Sequence, residues 1–218
     1  MRETMKYDTN IYQLRETVLR RMLQIAMERK YSNENGIVFF GDSIIEYFDL
    51  QTHLKSSCSM YNCGIAGAST SILKNYIDEA VLKYRPQQVF IMAGTNDLGN
   101  TEMASPRDIA LNMKEISEII HYNLPECQIV LCSPIPCVES IHGYQTLKMG
   151  LRSHDILKMI EKEYKRIIPY DYVTIVNIFD CLCLDNGETD QSYYIDGLHI
   201  DERGYRKIAE VLQSYIKK

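Results

Sequence analysis

The chain has 218 residues, 45% of them apolar and 24% charged, a balance that suits one α/β domain able to bury its own core. A net charge of -5 excludes the concentrated positive field that a nucleic acid or an anionic membrane surface asks of its partner. Seven cysteines, at positions 58, 63, 127, 132, 137, 181 and 183, form no Cys-x-x-Cys pair and have no histidine at zinc-ligand spacing.

Those cysteines are therefore expected as reduced thiols, several of them buried, with no metal or other cofactor. The opening Met1-Arg2-Glu3-Thr4 does not lead into a long apolar stretch, and no apolar run approaches membrane-spanning length. The expectation is a cytoplasmic protein without stable membrane insertion.

Residues 1–35 precede the first strand. Ile11, Leu14, Val18, Met22 and Ile25 recur every three or four positions, with Arg15, Arg20, Arg21, Glu28 and Arg29 elsewhere, which predicts one amphipathic helix packed on the flank of a domain spanning 36–218. Ile37-Val38-Phe39-Phe40 is a continuous apolar run between Gly36 and Gly41, the pattern of a parallel strand covered on both faces. It delivers Asp42 and Ser43 at its carboxyl end, where open α/β sheets place their ligands. By itself Gly41-Asp42-Ser43 is also what an ordinary turn with a helix cap looks like.

A short helix follows over Ile44 to Phe48, then a short strand ending near Asn62, with Gly64 and Gly67 permitting a tight turn. Ser69 to Tyr84 reads as a helix ended by Arg85-Pro86. Gln88 to Ala93 is a third buried strand, followed directly by Gly94-Thr95-Asn96-Asp97. Pro106 opens a helix with Ile109, Met113, Ile116 and Ile120 on its inner face, and Ile129 to Cys132 is a fourth strand.

From Ser133 to Arg152 there is little periodicity, so an irregular loop is expected. Ile156, Met159, Ile160, Tyr164 and Ile167 mark a helix stopped by Pro169, and Tyr172 to Val176 is a fifth strand. A loop from Cys181 to Leu198 carries Asp196-Gly197-Leu198-His199 and leads to a last helix with Tyr205, Ile208, Val211 and Leu212. Strands alternating with helices predict a three-layer α/β/α sandwich around a five-stranded parallel sheet. His53, His121, His142 and His154 stand in no comparable context, and His142 and His154 flank the irregular segment.

The ordered set Gly41-Asp42-Ser43, Asn62-x-Gly64, Gly94-x-Asn96-Asp97 and Asp196-x-x-His199 resembles the four blocks of the SGNH (GDSL-type) hydrolases. Residue 45 is isoleucine, so the Gly-x-Ser-x-Gly elbow of the α/β-hydrolases is absent. The resemblance implies Ser43 as nucleophile, His199 as general base and then acid, and Asp196 as the group that orients the imidazole. It also implies an oxyanion hole from the backbone amides of Ser43 and Gly64 and the side-chain amide of Asn96.

Such chemistry needs these residue types, because a serine hydroxyl is a poor nucleophile until a base near neutrality takes its proton. The flavodoxin-like strand order 2-1-3-4-5 is expected, since it sets the ends of the strands bearing Ser43, Gly64 and Asn96 side by side. A small-molecule ester is the expected partner, with a short acyl group, acetyl above all, on a small alcohol, carbohydrate or lysophospholipid-like molecule. Within the enzymes the alternative is a thioesterase or lysophospholipase of broader acyl range; outside them it is a non-catalytic binding module.

Overall fold

The computed structural model describes residues 16–99, 102–142 and 150–217. Its centre is a sheet of five parallel strands, β1 (Ile37–Gly41), β2 (Met60–Gly64), β3 (Gln88–Met92), β4 (Gln128–Cys132) and β5 (Val173–Val176), in the order β2-β1-β3-β4-β5. The inner strands β1 and β3 are buried along their whole length, while β2 and β5 at the two edges are only partly covered. This is why β1 and β3 read as unbroken apolar runs.

Alternate residues of each strand feed two cores, as a pleated sheet requires. Val38, Phe40, Val89, Ile91, Ile129 and Leu131 pack in one cluster with α1 (Glu16–Arg29), α4 (Thr70–Ala80), α5 (Pro106–Asn123) and α7 (His154–Ile167). Ile37, Phe39, Phe90, Met92, Val130 and Cys132 meet α2 (Ser43–Glu46), α3 (Leu50–His53) and α8 (Glu202–Leu212) on the other. The Phe39 and Phe90 rings stack at 4.7 Å, and Phe48 closes on Phe39 edge-on at 6.2 Å. Such pairs add about 0.5–1.5 kcal/mol each beyond the area they bury.

Helix starts carry their own chemistry. Ser105 and Asp108 form a reciprocal capping box with Pro106 in the first turn of α5, and Ser69, Ser153 and Asp201 cap α4, α7 and α8. In α1 the inward residues Val18, Met22 and Ile25 are buried; Ile11, Leu14 and Arg15 of the expected helix lie outside the described residues.

One local expectation needs correction. Met159 is exposed and the inner face of α7 is Leu157, Ile160, Glu161 and Tyr164, because the helix is rotated relative to the stripe read from the sequence. The stretch after β4 is irregular over 133–138, as expected, and is held in place. Ser133 accepts the backbone N–H groups of Ile178 and Phe179, Ile135, Cys137 and Val138 are buried, and Glu139–His142 forms a short helix, α6.

Candidate active site

Ser43 is the first residue of α2, directly beyond the carboxyl end of β1, and its side chain is almost buried. Asp42 caps that helix by accepting the Ile44 N–H at 2.9 Å. The tight strand-to-helix step aims the Ser43 Oγ away from the sheet and toward the loop that follows β5.

That loop delivers His199. The His199 Nε2 stands 3.0 Å from Ser43 Oγ, and its Nδ1 stands 2.7 Å from Asp196 Oδ2. A carboxylate can only accept, so Nδ1 carries the proton and Nε2 is left to accept from the Ser43 hydroxyl. Asp196 is itself held: its Oδ1 accepts the N–H groups of Leu198 at 2.9 Å and His199 at 2.7 Å. Partial burial works to raise its pKa, but the hydrogen bonds from the His199 ring and the two amides win and hold the carboxyl at about 2. The turn is anchored from outside by Val138, which donates to the Gly197 carbonyl at 2.8 Å, and by the bridge between Tyr194 and Ile200.

The Ser43–His199 pair opens on a cleft of about 390 Å³ lined by Thr17, Ser43, Glu46, Tyr47, Ala66, Gly67, Asn96, Leu198 and His199. Asn96, from the end of β3, donates to the Ala68 carbonyl through Nδ2 at 3.0 Å, which keeps its carboxamide on the cleft wall with one amide proton to spare. Asp97 next to it does not reach the cleft. It is buried and accepts both the backbone N–H and the hydroxyl of Thr70, so it caps α4.

Gly64 is not where the sequence reading put it. The odd residues of β2 face β1, as Ile65 N–H to Gly41 O shows, so the Gly64 N–H points off the free edge of the sheet. There it donates to the Asn62 Oδ1 at 3.0 Å, and Gly64 does not line the cleft. Its lack of a side chain has a packing cause, since a Cβ would come within 2.1 Å of the Glu46 backbone nitrogen. Gly67, three residues on, lines the cleft with φ +76, a left-handed conformation that favours glycine. Among the described residues no acceptor takes the Gly67 or the Ser43 N–H. The missed signal is the strand period of two, which turns residues 62 and 64 outward, off the free edge of the sheet. Thr17, Glu46 and Tyr47 had no signal of their own in the sequence.

None of the other histidines joins this site. His53 and His121 pack against tyrosines, His142 Nε2 donates to the Asp196 backbone carbonyl at 3.0 Å, and His154 pairs with Thr189.

A serine, an imidazole and a carboxylate in one hydrogen-bonded line, beside free amides in a cleft, is the equipment of an acyl-transfer hydrolase. Comparison with known proteins names the class. The GDSL-like lipase/acylhydrolase family model matches residues 39–207, and the chain belongs to that family of ester-bond hydrolases. A putative platelet activating factor from Streptococcus pneumonia shares 27% identity over 91% of this chain and 94% of its own, with a TM-score of 0.78. A GDSL-like lipase from Bacteroides thetaiotaomicron shares 22% identity, covering 89% and 96%, with a TM-score of 0.72. A carbohydrate acetylesterase from Sinorhizobium meliloti shares 18% identity, covering 84% and 98%, with a TM-score of 0.68. No curated protein sequence matches the chain.

Proposed function

We propose that the protein is a serine esterase that removes a short acyl group, acetyl above all, from a small alcohol or carbohydrate through an acyl-enzyme. The observation that carries this reading is the line from Asp196 through His199 to Ser43, ending in a cleft of about 390 Å³. The Ser43 Oγ attacks the ester carbonyl carbon while His199 Nε2 takes its proton. The oxyanion that forms meets the N–H groups of Ser43 and Gly67 and the Asn96 carboxamide; one such donor is typically worth about 3 kcal/mol in the transition state. His199 then protonates the departing alkoxide, and a water activated by the same nitrogen cleaves the acyl-serine. Asp196, charged throughout, holds the ring in the tautomer that both steps use.

The acyl preference is supported by the modest cleft, walled by Ala66, Tyr47 and Leu198, and by the polar Thr17 and Glu46 at its rim. A carbohydrate acetylesterase on the same fold points the same way. A panel of p-nitrophenyl esters of two to twelve carbons, run beside acetylated sugars, tests it. The expected kcat/KM is highest for the two- to four-carbon esters; a maximum among the long chains would reject the short-acyl reading.

A further inference from the structure

Helix α1 lies outside the stretch matched by the family model, yet one of its side chains lines the cleft and another holds the strand beside it. Thr17 lines the cleft, and Arg21, one turn further along the same helix face, ends on the strand that leads to Gly67. The cause lies in β2 being the outer strand of the sheet. Its odd residues pair with β1, so the carbonyls of Asn62 and Gly64 face outward, where an edge strand has no neighbour to take them.

Arg21 takes both. Its Nε donates to the Gly64 carbonyl at 2.9 Å, and its Nη2 donates to the Asn62 carbonyl at 2.7 Å and to Asn62 Oδ1 at 3.2 Å. The same Asn62 Oδ1 accepts the Gly64 N–H, and Asn62 Nδ2 donates to the carbonyls of Ile45 at 2.7 Å and Phe48 at 3.0 Å. Ile45 belongs to the one-turn helix that begins at Ser43. One guanidinium thus ties the end of β2, the turn into Gly67 and the helix of the nucleophile into one frame.

We propose that Arg21 is a positioning residue of the esterase site, which fixes the free edge of β2 and so sets the Gly67 amide against the carbonyl oxygen of an ester bound at Ser43. The proposal rests on the roles given above to Ser43 and Gly67. A planar fork is needed, because three acceptors in a row must be held at fixed angles, and a lysine ammonium is a point charge that cannot do so. Displacing a donor by a fraction of an ångström weakens it most where charge develops, so the loss falls on kcat.

The test compares wild type, Arg21→Lys and Arg21→Ala on p-nitrophenyl acetate, with the denaturation midpoint of each measured alongside. Arg21→Ala is expected to lower kcat at least about tenfold with KM within about threefold, since small displacements of catalytic groups can cost about 10²-fold. Arg21→Lys should fall in between. Added methylguanidinium, set against sodium chloride at equal ionic strength, should restore part of the Arg21→Ala rate and leave wild type unchanged. A normal kcat with a lowered midpoint would overturn the proposal and leave Arg21 as an anchor of the sheet edge. If Arg21→Ala does not fold, a normal kcat in Arg21→Lys overturns it equally. A wild type that neither turns over the ester nor is labelled at Ser43 by a fluorophosphonate defeats the esterase reading itself. An active, labelled wild type with silent Arg21 variants defeats only the positioning role.

Discussion

Two aspartates stand beside the Ser43–His199 pair, and the protein treats them in opposite ways. Asp196 is half exposed, accepts from the His199 ring and two backbone amides, and is held at about 2. Asp42, one residue before the nucleophile, is buried and has the Ile44 amide as its backbone donor; burial pushes it up to about 7, and the nearby Asp97 adds to the rise. The same side chain stays charged from about pH 2 upward in one place, and in the other is a cap that keeps its proton until about pH 7. What decides is the number of donors facing each carboxyl and the water each retains, not its distance from the chemistry.

The largest effects test the charged side of that contrast. Ser43→Ala removes the covalent route and should lower kcat on the order of 10⁶-fold, setting the floor. Asp196→Asn should cost roughly 10³- to 10⁴-fold in kcat, because an amide can donate to His199 Nδ1 and so favours the wrong tautomer. If Asp196→Asn and Asp42→Asn lowered kcat equally, the division of roles between the two carboxyls would be broken.

Asn96→Ala comes next. A loss of 10²- to 10³-fold in kcat, roughly 3 to 4 kcal/mol, with little change in KM is expected for a donor used mainly in the transition state. A normal kcat with a lowered denaturation midpoint would instead reduce Asn96 to its bond with the Ala68 carbonyl.

The smallest effect concerns Asp42 and is read in stability. Between the ordinary carboxyl value of 3.8 and about 7 the folded protein keeps a proton at Asp42 that the unfolded chain has released. Stability from this group therefore falls as pH rises through that window and is level above it. Buried Asp97, raised to about 6 chiefly by desolvation, adds the same slope over the lower part of the window. For Asp42 alone, two pH units, from about pH 5 to about pH 7, amount to about 3 kcal/mol at most. Asn keeps an acceptor for the Ile44 N–H, so Asp42→Asn should flatten the upper part of the profile. Denaturant midpoints across this range decide it, and an unchanged slope would reject the burial argument.

Much of this was legible before any coordinates. The strands with a continuous apolar run, Ile37 to Phe40 and Val89 to Ala93, were recognisable because a strand covered on both faces can hold little else. The blocks around Ser43, Asn96 and His199 were recognisable because each follows a strand or sits in a turn rich in Gly, Asp and Asn. Gly64 was misplaced for an equally physical reason. Two glycines three apart look alike in a sequence, but the pairing of β2 with β1 turns the Gly64 N–H off the sheet edge, while Gly67, beyond the strand, lines the cleft.

By itself the sequence determined the strand and helix alternation and the class of chemistry, and it singled out Ser43, Asp196 and His199 as the proposed triad, because apolar periodicity and reactive side chains are local properties of the chain. Tertiary structure alone decided which glycine lines the cleft, that Asp42 is pushed up while Asp196 is held down, and that Arg21 reaches the end of β2. Each of these depends on what a group meets across space, 41 residues away for Arg21 and Asn62, and neither burial nor donor count is written in the neighbouring letters.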